Sequence, residues 1–247
     1  MTAGAYVPPQ PLQRVRRRAR ECGVGRAVLE MVTWGAGYAA GFPATLTGSR
    51  GRFTFDGREY RFLYHRHGFT WLNERAVEVP IAARALAEAS GGRVLEVGNV
   101  LSHYGHGGHP VVDKYERAPE VLNVDALDYE PDEPFDLIVS VSTLEHIGWD
   151  ETVREPSRAE GAVGALARHL RPGGTLLVTV PVGYNPVLDE AIRAGRARFS
   201  TLRALRRTGR TAWEEAEPAE VWDVPYDQLL CAANAILVGT VKAARSA

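Results

Sequence analysis

The sequence predicts an α/β fold, an open and mostly parallel sheet with helices on both faces, preceded by a smaller N-terminal unit of helices and a β-hairpin. Three observations predict it. From residue 93 onward short apolar runs alternate with crossovers, the pattern of parallel strands. Several of these runs close on small or acidic residues, as at Val97-Gly98, Val112-Asp113 and Val124-Asp125. Before them, Asp56-Gly57 sits between two strand-like runs, the dipeptide that favours a tight hairpin.

The elements follow in order. Residues 1–10, with Pro8-Pro9, read as a loose tail, followed by a basic helix from about Leu12 to Cys22. Its arginines at 14, 16, 17, 18 and 20 read as a solvated helix face rather than as a targeting helix. A more apolar helix runs from about Arg26 to Trp34, and Gly35 and Gly37 are expected to end it. Strands at 52–55 and 58–65 flank the hairpin turn. Asn73 caps a helical stretch reaching about Ser90, which Pro80 is expected to divide. Sheet strands are expected at 93–97, 110–113, 121–124, 135–141 and 174–180, with a helix from about Ser157 to Leu170 that turns at Arg171-Pro172-Gly173-Gly174. Residues 187–223 read as a long insertion, and segments 222–224 and 234–241 complete seven strands. The organisation is thus an N-terminal unit over 1–89, with the hairpin and a lid or cap helix, and a ligand-binding domain over 90–247.

Composition narrows the function classes. At 247 residues with 45% apolar and 24% charged, the chain is an ordinary globular protein. A net charge of −1 lacks the basic surplus that phosphate contacts require, so no nucleic-acid partner is expected. The uncharged stretch 31–49 contains glycines, a proline and threonines, so no membrane span is expected. Two cysteines, Cys22 and Cys231, form neither a disulfide framework nor a zinc pattern, and a reduced, cytoplasmic setting fits them. A homodimer is left open.

The strand ends carry the chemistry. In an open parallel sheet, ligands bind beyond the carboxyl ends of the strands, where strand order reverses. Gly98 offers no side chain to obstruct a close approach. Asp113 places a carboxylate where ribose hydroxyls can be accepted, with a plain turn aspartate as the alternative. Asp125 and Ala126 set a short polar group and a methyl where an adenine ring would lie, with a plain loop role as the alternative for Asp125. A nicotinamide-binding reading expects a G-x-G-x-x-G turn, which is absent.

Four segments together resemble one family. They are Glu96-Val97-Gly98, the acids at 113 and 125, the run 135–146 (Phe135 to His146, ending Leu144-Glu145-His146), and Leu170-Arg171-Pro172-Gly173-Gly174-Thr175 with the strand after it. The stretch from about 90 to 182 is similar to class I S-adenosylmethionine-dependent methyltransferases. The resemblance implies a Rossmann-like, seven-stranded, mostly parallel sheet whose last strand is antiparallel, and S-adenosylmethionine as cofactor. It also implies a cofactor set of Glu96, Gly98, Asn99, Asp113, Asp125, Ala126, Ser140 and Val141. His146 becomes the candidate catalytic base. The family's first loop normally carries two further glycines, where this chain has Asn99 and Val100. Asn99 is expected to keep the turn by tolerating a positive backbone angle.

The implied reaction is methyl transfer to an oxygen or nitrogen of a small-molecule acceptor, a sugar or specialised metabolite. The missing glycines keep a second reading open, a partner subunit or a scaffold for another reaction. Candidate substrate residues are His67 and Trp71 on the lid, His103 and Tyr104 on the first loop, and Tyr184 after the fifth sheet strand. The run His103, His106, His109 lacks the companion ligands a metal site needs, so no metal is assigned. Arginines between 193 and 210 face a later acidic run at 214–220, to dock an anionic substrate or to pair with those acids.

Overall fold

The computed structural model describes residues 11–46, 51–151, 153–209, 211–227 and 230–245; the expected tail over 1–10 and Arg210 lie outside them. Two helices open the chain, α1 (Pro11–Cys22) and α2 (Val24–Gly41). Helix α2 runs past Gly35 and Gly37, which were expected to end it. Gly41 gives the reason for small residues here, because a Cβ on it would stand 2.1 Å from the Trp71 ring. The close approach of α2 to Trp71 therefore depends on glycine.

The hairpin forms as expected from β1 (Arg52–Phe55) and β2 (Arg58–Arg61), paired Phe55 to Arg58. Asp56 and Gly57 both take positive φ, 50° and 67°, as a two-residue turn matched to strand twist requires. Helix α3 (Arg75–Glu88) is continuous through Pro80 rather than divided. Proline cannot donate to the carbonyl four residues back, that of Ala76. The Leu63 amide supplies this bond instead at 3.0 Å, so the break is repaired from the hairpin strand's extension. Asn73 assists the helix start, its Oδ1 accepting from the Arg75 amide at 3.1 Å.

The main sheet comprises β3 (Val94–Val97), β4 (Val111–Val112), β5 (Val121–Leu122), β6 (Phe135–Val141), β7 (Leu170–Pro181), β8 (Thr201–Arg207), β9 (Trp213–Ala216) and β10 (Ala235–Lys242). Their spatial order is β5-β4-β3-β6-β7-β10-β8-β9. Strands β5 through β7 pair in parallel, and β10 is antiparallel to β7 and β8. The sheet has eight strands rather than seven, because the stretch expected as an insertion supplies two of them, after helix α5 (Pro186–Arg193). Residues 222–224, expected as a strand, form a turn instead.

Alternation along each strand splits the core in two, since successive side chains leave opposite faces. Ile138 and Leu176 pack with α4 (Ser157–Ala167) and α5, whereas Leu137, Val139 and Leu177 pack with α3, the hairpin and Trp71. The N-terminal elements thus share a core with one face of the sheet. Fully burying each such large apolar side chain contributes roughly 1.5–3 kcal/mol. Connections from β3 to β6 contain no α-helix, only a short 3-10 helix at Leu101–Tyr104 and irregular turns. That leaves the carboxyl ends of these strands uncovered.

Candidate cofactor and acceptor site

The chain reverses its direction of growth across the sheet between β3 and β6, and a cavity of about 460 Å³ opens there. Gly98, Asn99, Asp113, Asp125, Ala126 and His146 line it. Six of the nine cofactor and catalytic candidates are therefore brought together. Glu96, Ser140 and Val141 are buried beneath the cavity floor rather than on its wall. Ser140 Oγ donates to the Val97 carbonyl at 3.2 Å, which holds β3 and β6 together where the ligand turn begins.

Gly98 has φ +85°, and a Cβ on it would meet Thr143 Oγ1 at 2.0 Å. This position demands glycine twice over, for its backbone angle and for its neighbour. Asn99 does not hold the turn by a positive angle; its φ is not in that region. Its side chain does the work instead, Nδ2 donating to Glu116 at 2.5 Å and Oδ1 accepting from Ser102 at 2.5 Å. Val100 likewise has ordinary angles and enters the tight turn that follows. Where the family carries its two further glycines, this loop folds into a helical turn that needs no positive φ at 99 or 100.

Glu96 accounts for that turn. Its Oε1 accepts from the amides of Val100 and Leu101 at 2.8 and 2.7 Å, and its Oε2 faces His109 Nε2 at 2.9 Å. Asp113 is similarly engaged, accepting from the amides of Tyr115 and Glu116 at 2.8 Å each and of Asn99 at 3.3 Å. An ionised carboxylate offers about four lone-pair sites, so about one remains for a ligand hydroxyl. Asp125 accepts from Lys114 at 3.0 Å, Arg158 at 3.1 Å and the Leu127 amide at 3.1 Å. Burial opposes its ionisation, yet the Leu127 amide and Lys114 prevail and hold it below the usual carboxylate range.

The sequence reading missed Lys114, Tyr115, Glu116, Ser142, Thr143 and Glu151, which also line the cavity. The signal was the charged, aromatic run directly after Asp113, which a strand-end search stops short of.

On the far wall, His146 Nδ1 is hydrogen-bonded to Asp150 Oδ2, which also accepts from the Tyr184 hydroxyl at 2.6 Å. Tyr184 packs edge-on against the imidazole at 4.8 Å and against Tyr226 at 5.2 Å. The bond to Asp150 fixes Nδ1 as the donor and leaves Nε2 as the basic nitrogen, 3.5 Å from Glu145 Oε1. Burial alone would lower the His146 pKa, but the hydrogen bond to Asp150 and the charge of Glu145 outweigh it and raise it. Burial pushes the Glu145 carboxyl up to about 7, and its Oε2 has no partner among the described residues. Behind it, Glu78 accepts from Ser142 Oγ at 2.6 Å and pairs with Arg75 at 2.5 Å, and Glu74 accepts the Ala233 amide at 2.8 Å.

The remaining substrate candidates divide. Trp71 is a core residue at 1% exposure, not a lid contact. His67 stacks on His103 at 4.4 Å, and Tyr104 meets both His65 and His67 edge-on, so the lid loop and the first loop touch through these rings. His103 and His109 each face one glutamate, and no group of three or more metal-ligating side chains gathers among the described residues. Arg203 pairs with Glu215 at 2.9 Å across β8 and β9, the pairing alternative for that arginine.

The parallel run β5-β4-β3-β6-β7 with antiparallel β10 inserted beside β7 decides the architecture. The chain has the class I methyltransferase fold. No protein-family model matches it. A trans-aconitate 2-methyltransferase of Azoarcus sp. (strain BH72) is 27% identical over 128 residues, covering 48% of this chain and 47% of that protein. The chain thus spans about half the length of the curated relative it matches. Among solved structures, the N-methyltransferase NodS from Bradyrhizobium japonicum WM9 aligns at 14% identity and TM-score 0.41, over 66% of this chain and 95% of that one. Burkholderia thailandensis 1,6-didemethyltoxoflavin-N1-methyltransferase, with its substrate and S-adenosylhomocysteine bound, aligns at 18% and 0.42, over 79% and 100%.

Proposed function

We propose that the protein is an S-adenosylmethionine-dependent methyltransferase that acts on an oxygen or nitrogen of a small molecule, a sugar or specialised metabolite, in the cytoplasm. One observation carries this reading: the cavity opens where β3 and β6 diverge, with Gly98, Asp113, Asp125 and Ala126 on its wall in the order an adenosyl group needs. The donor set fits the group. Gly98 turns the backbone at the cavity edge against Thr143, Asp113 has about one acceptor site for a ribose hydroxyl, and the half-exposed Tyr115 ring and Ala126 offer surfaces to the base. Glu96 acts at one remove, by holding the Val100 and Leu101 amides in place.

When bound, the cofactor supplies an electrophilic methyl on a sulfonium sulfur. The residues of this chain contribute position and a base. The cofactor's methyl would pass to the acceptor's lone pair, leaving the sulfur as a neutral thioether, and His146 Nε2 would take the acceptor's proton. Asp150 steadies the resulting imidazolium through Nδ1. The test is calorimetric titration with S-adenosylhomocysteine, followed by an assay for its production from S-adenosylmethionine across a panel of sugars and amines. Saturable binding with turnover supports the reading, and absence of binding at saturating ligand removes it.

A second reading, a subunit that binds without transferring methyl, is favoured by the internal bonds already made by Asp113 and Asp125. Binding without turnover on any acceptor would select it.

A further inference from the structure

Arg207, at the end of β8, is an arginine whose chemistry the proposed reaction does not use. Residues 205 and 207 leave the same face of the strand, and Leu205 lies in the core with Trp71 and Trp213. The Arg207 guanidinium lies 5.1 Å from the centre of the Trp213 ring. Its Nε and Nη2 are shielded from water and have no hydrogen-bond partner among the described residues. Burial pushes its pKa down, the mark of a cation without adequate compensation.

Nε and Nη2 form the side-on edge of a guanidinium, the fork that matches the two oxygens of a carboxylate. The same chain shows that edge filled. Arg18 uses Nε and Nη2 to hold both oxygens of Glu30, at 2.9 and 2.8 Å. Nothing equivalent among the described residues reaches the Nε–Nη2 edge of Arg207. Of the two acids whose charges favour it, Glu74 accepts the Ala233 amide at 2.8 Å and Asp227 accepts the Leu230 amide at 3.0 Å.

Beside Arg207 lies a groove of about 480 Å³ between α2 and the end of β8, walled by Thr33, Trp34, Leu72, Pro225 and Asn234. No aspartate or glutamate lines it among the described residues. Apart from Arg207 and neighbouring Arg206 its lining is apolar or neutral, so positive charge is the only kind it offers a ligand. We infer that this groove is a binding site for a small-molecule carboxylate with an apolar body, the carboxylate pairing with the side-on edge of Arg207 and the body lying against Trp34, Leu72 and Pro225. Pairing requires the guanidinium to turn from Trp213 toward the groove. A cation–π contact of this kind holds the guanidinium less firmly than a two-pronged pairing with a carboxylate. The site is separate from the cofactor cavity and does not depend on methyl transfer.

Calorimetric titration of the full chain with phenylacetate and hexanoate tests it, with phenylacetamide as the neutral control. The carboxylates are expected to bind saturably and at least about tenfold more tightly than the amide. Arg207→Met is expected to abolish that binding while leaving S-adenosylhomocysteine affinity unchanged, and Arg207→Lys to weaken it several-fold because the fork is lost. Without ligand, Arg207→Met is expected to melt no lower than the parent, since it removes an unpartnered buried cation. Equal binding of amide and carboxylate, retained binding in Arg207→Met, or a markedly lower melting temperature for Arg207→Met would each overturn the site, the last by revealing a partner within the chain.

Discussion

The two walls of the cavity are built on opposite principles. On the β3–β4 wall the acids are largely engaged internally: Asp113 and Glu116, with Glu96 beneath them, accept from loop amides, from Asn99 and from histidines. On the β6 side, among the described residues, Glu145 is buried behind the wall with one oxygen unpartnered, and the Nε2 of His146 has only the Glu145 carboxylate beside it, at 3.5 Å. A saturated wall is stiff and shapes the cavity, since each bond lost would leave a buried group unsatisfied. An unsaturated wall retains chemistry, because its groups still have protons to exchange. The difference separates holding from reacting.

Gly98→Ala is the harshest test of the stiff wall. The added methyl meets Thr143 and forces a strained backbone angle, so S-adenosylhomocysteine affinity is expected to fall by about 100-fold or more, with roughly 2–4 kcal/mol of stability lost. Calorimetry and denaturant unfolding read the two effects.

The reactive wall is tested at His146. His146→Ala is expected to reduce kcat by about 100-fold while S-adenosylhomocysteine affinity changes by no more than about threefold. In the parent, the base must be neutral to accept a proton, so activity should rise as pH climbs through the raised His146 pKa. Asp150→Asn removes the partner that holds that proton, and the rise should move to lower pH. A pH profile that does not move in Asp150→Asn would reassign the base.

Glu145 sharpens the contrast through stability. Its carboxyl goes from 4.5 to about 7 on folding, so the folded state holds the proton more tightly than the unfolded chain. Stability from this group is present below about pH 4.5 and is lost as pH rises toward 7. Glu145→Gln keeps the neutral shape at every pH. It is expected to stabilise the protein by about 3 kcal/mol at pH 8 and by almost nothing at pH 4, read by urea unfolding at both.

The smallest effect belongs to Asp125. Because Lys114, Arg158 and Leu127 already occupy much of its carboxylate, Asp125→Asn is expected to weaken S-adenosylhomocysteine binding by only about two- to fivefold. A hundredfold loss would mean that the carboxylate turns from Lys114 to the ligand on binding.

The sequence was legible wherever the physics is local. Asp56-Gly57 dictates its turn, the near-continuous apolar run along 135–141 dictates a strand buried on both faces, and Gly98 at a strand end dictates a close approach. These depend on neighbours within a few residues, so they can be read in order along the chain. Tertiary contacts decided the rest. Pro80 leaves α3 whole because Leu63, thirteen residues before Ala76, supplies the missing donor. Trp71 enters the core because Gly41 admits it. Asn99 replaces a loop glycine through Glu116. The apparent insertion becomes β8 and β9 because β10 offers an unpaired edge. In each case the deciding partner is distant in sequence, and a hydrogen bond or a van der Waals contact carries no trace of itself in the composition on either side.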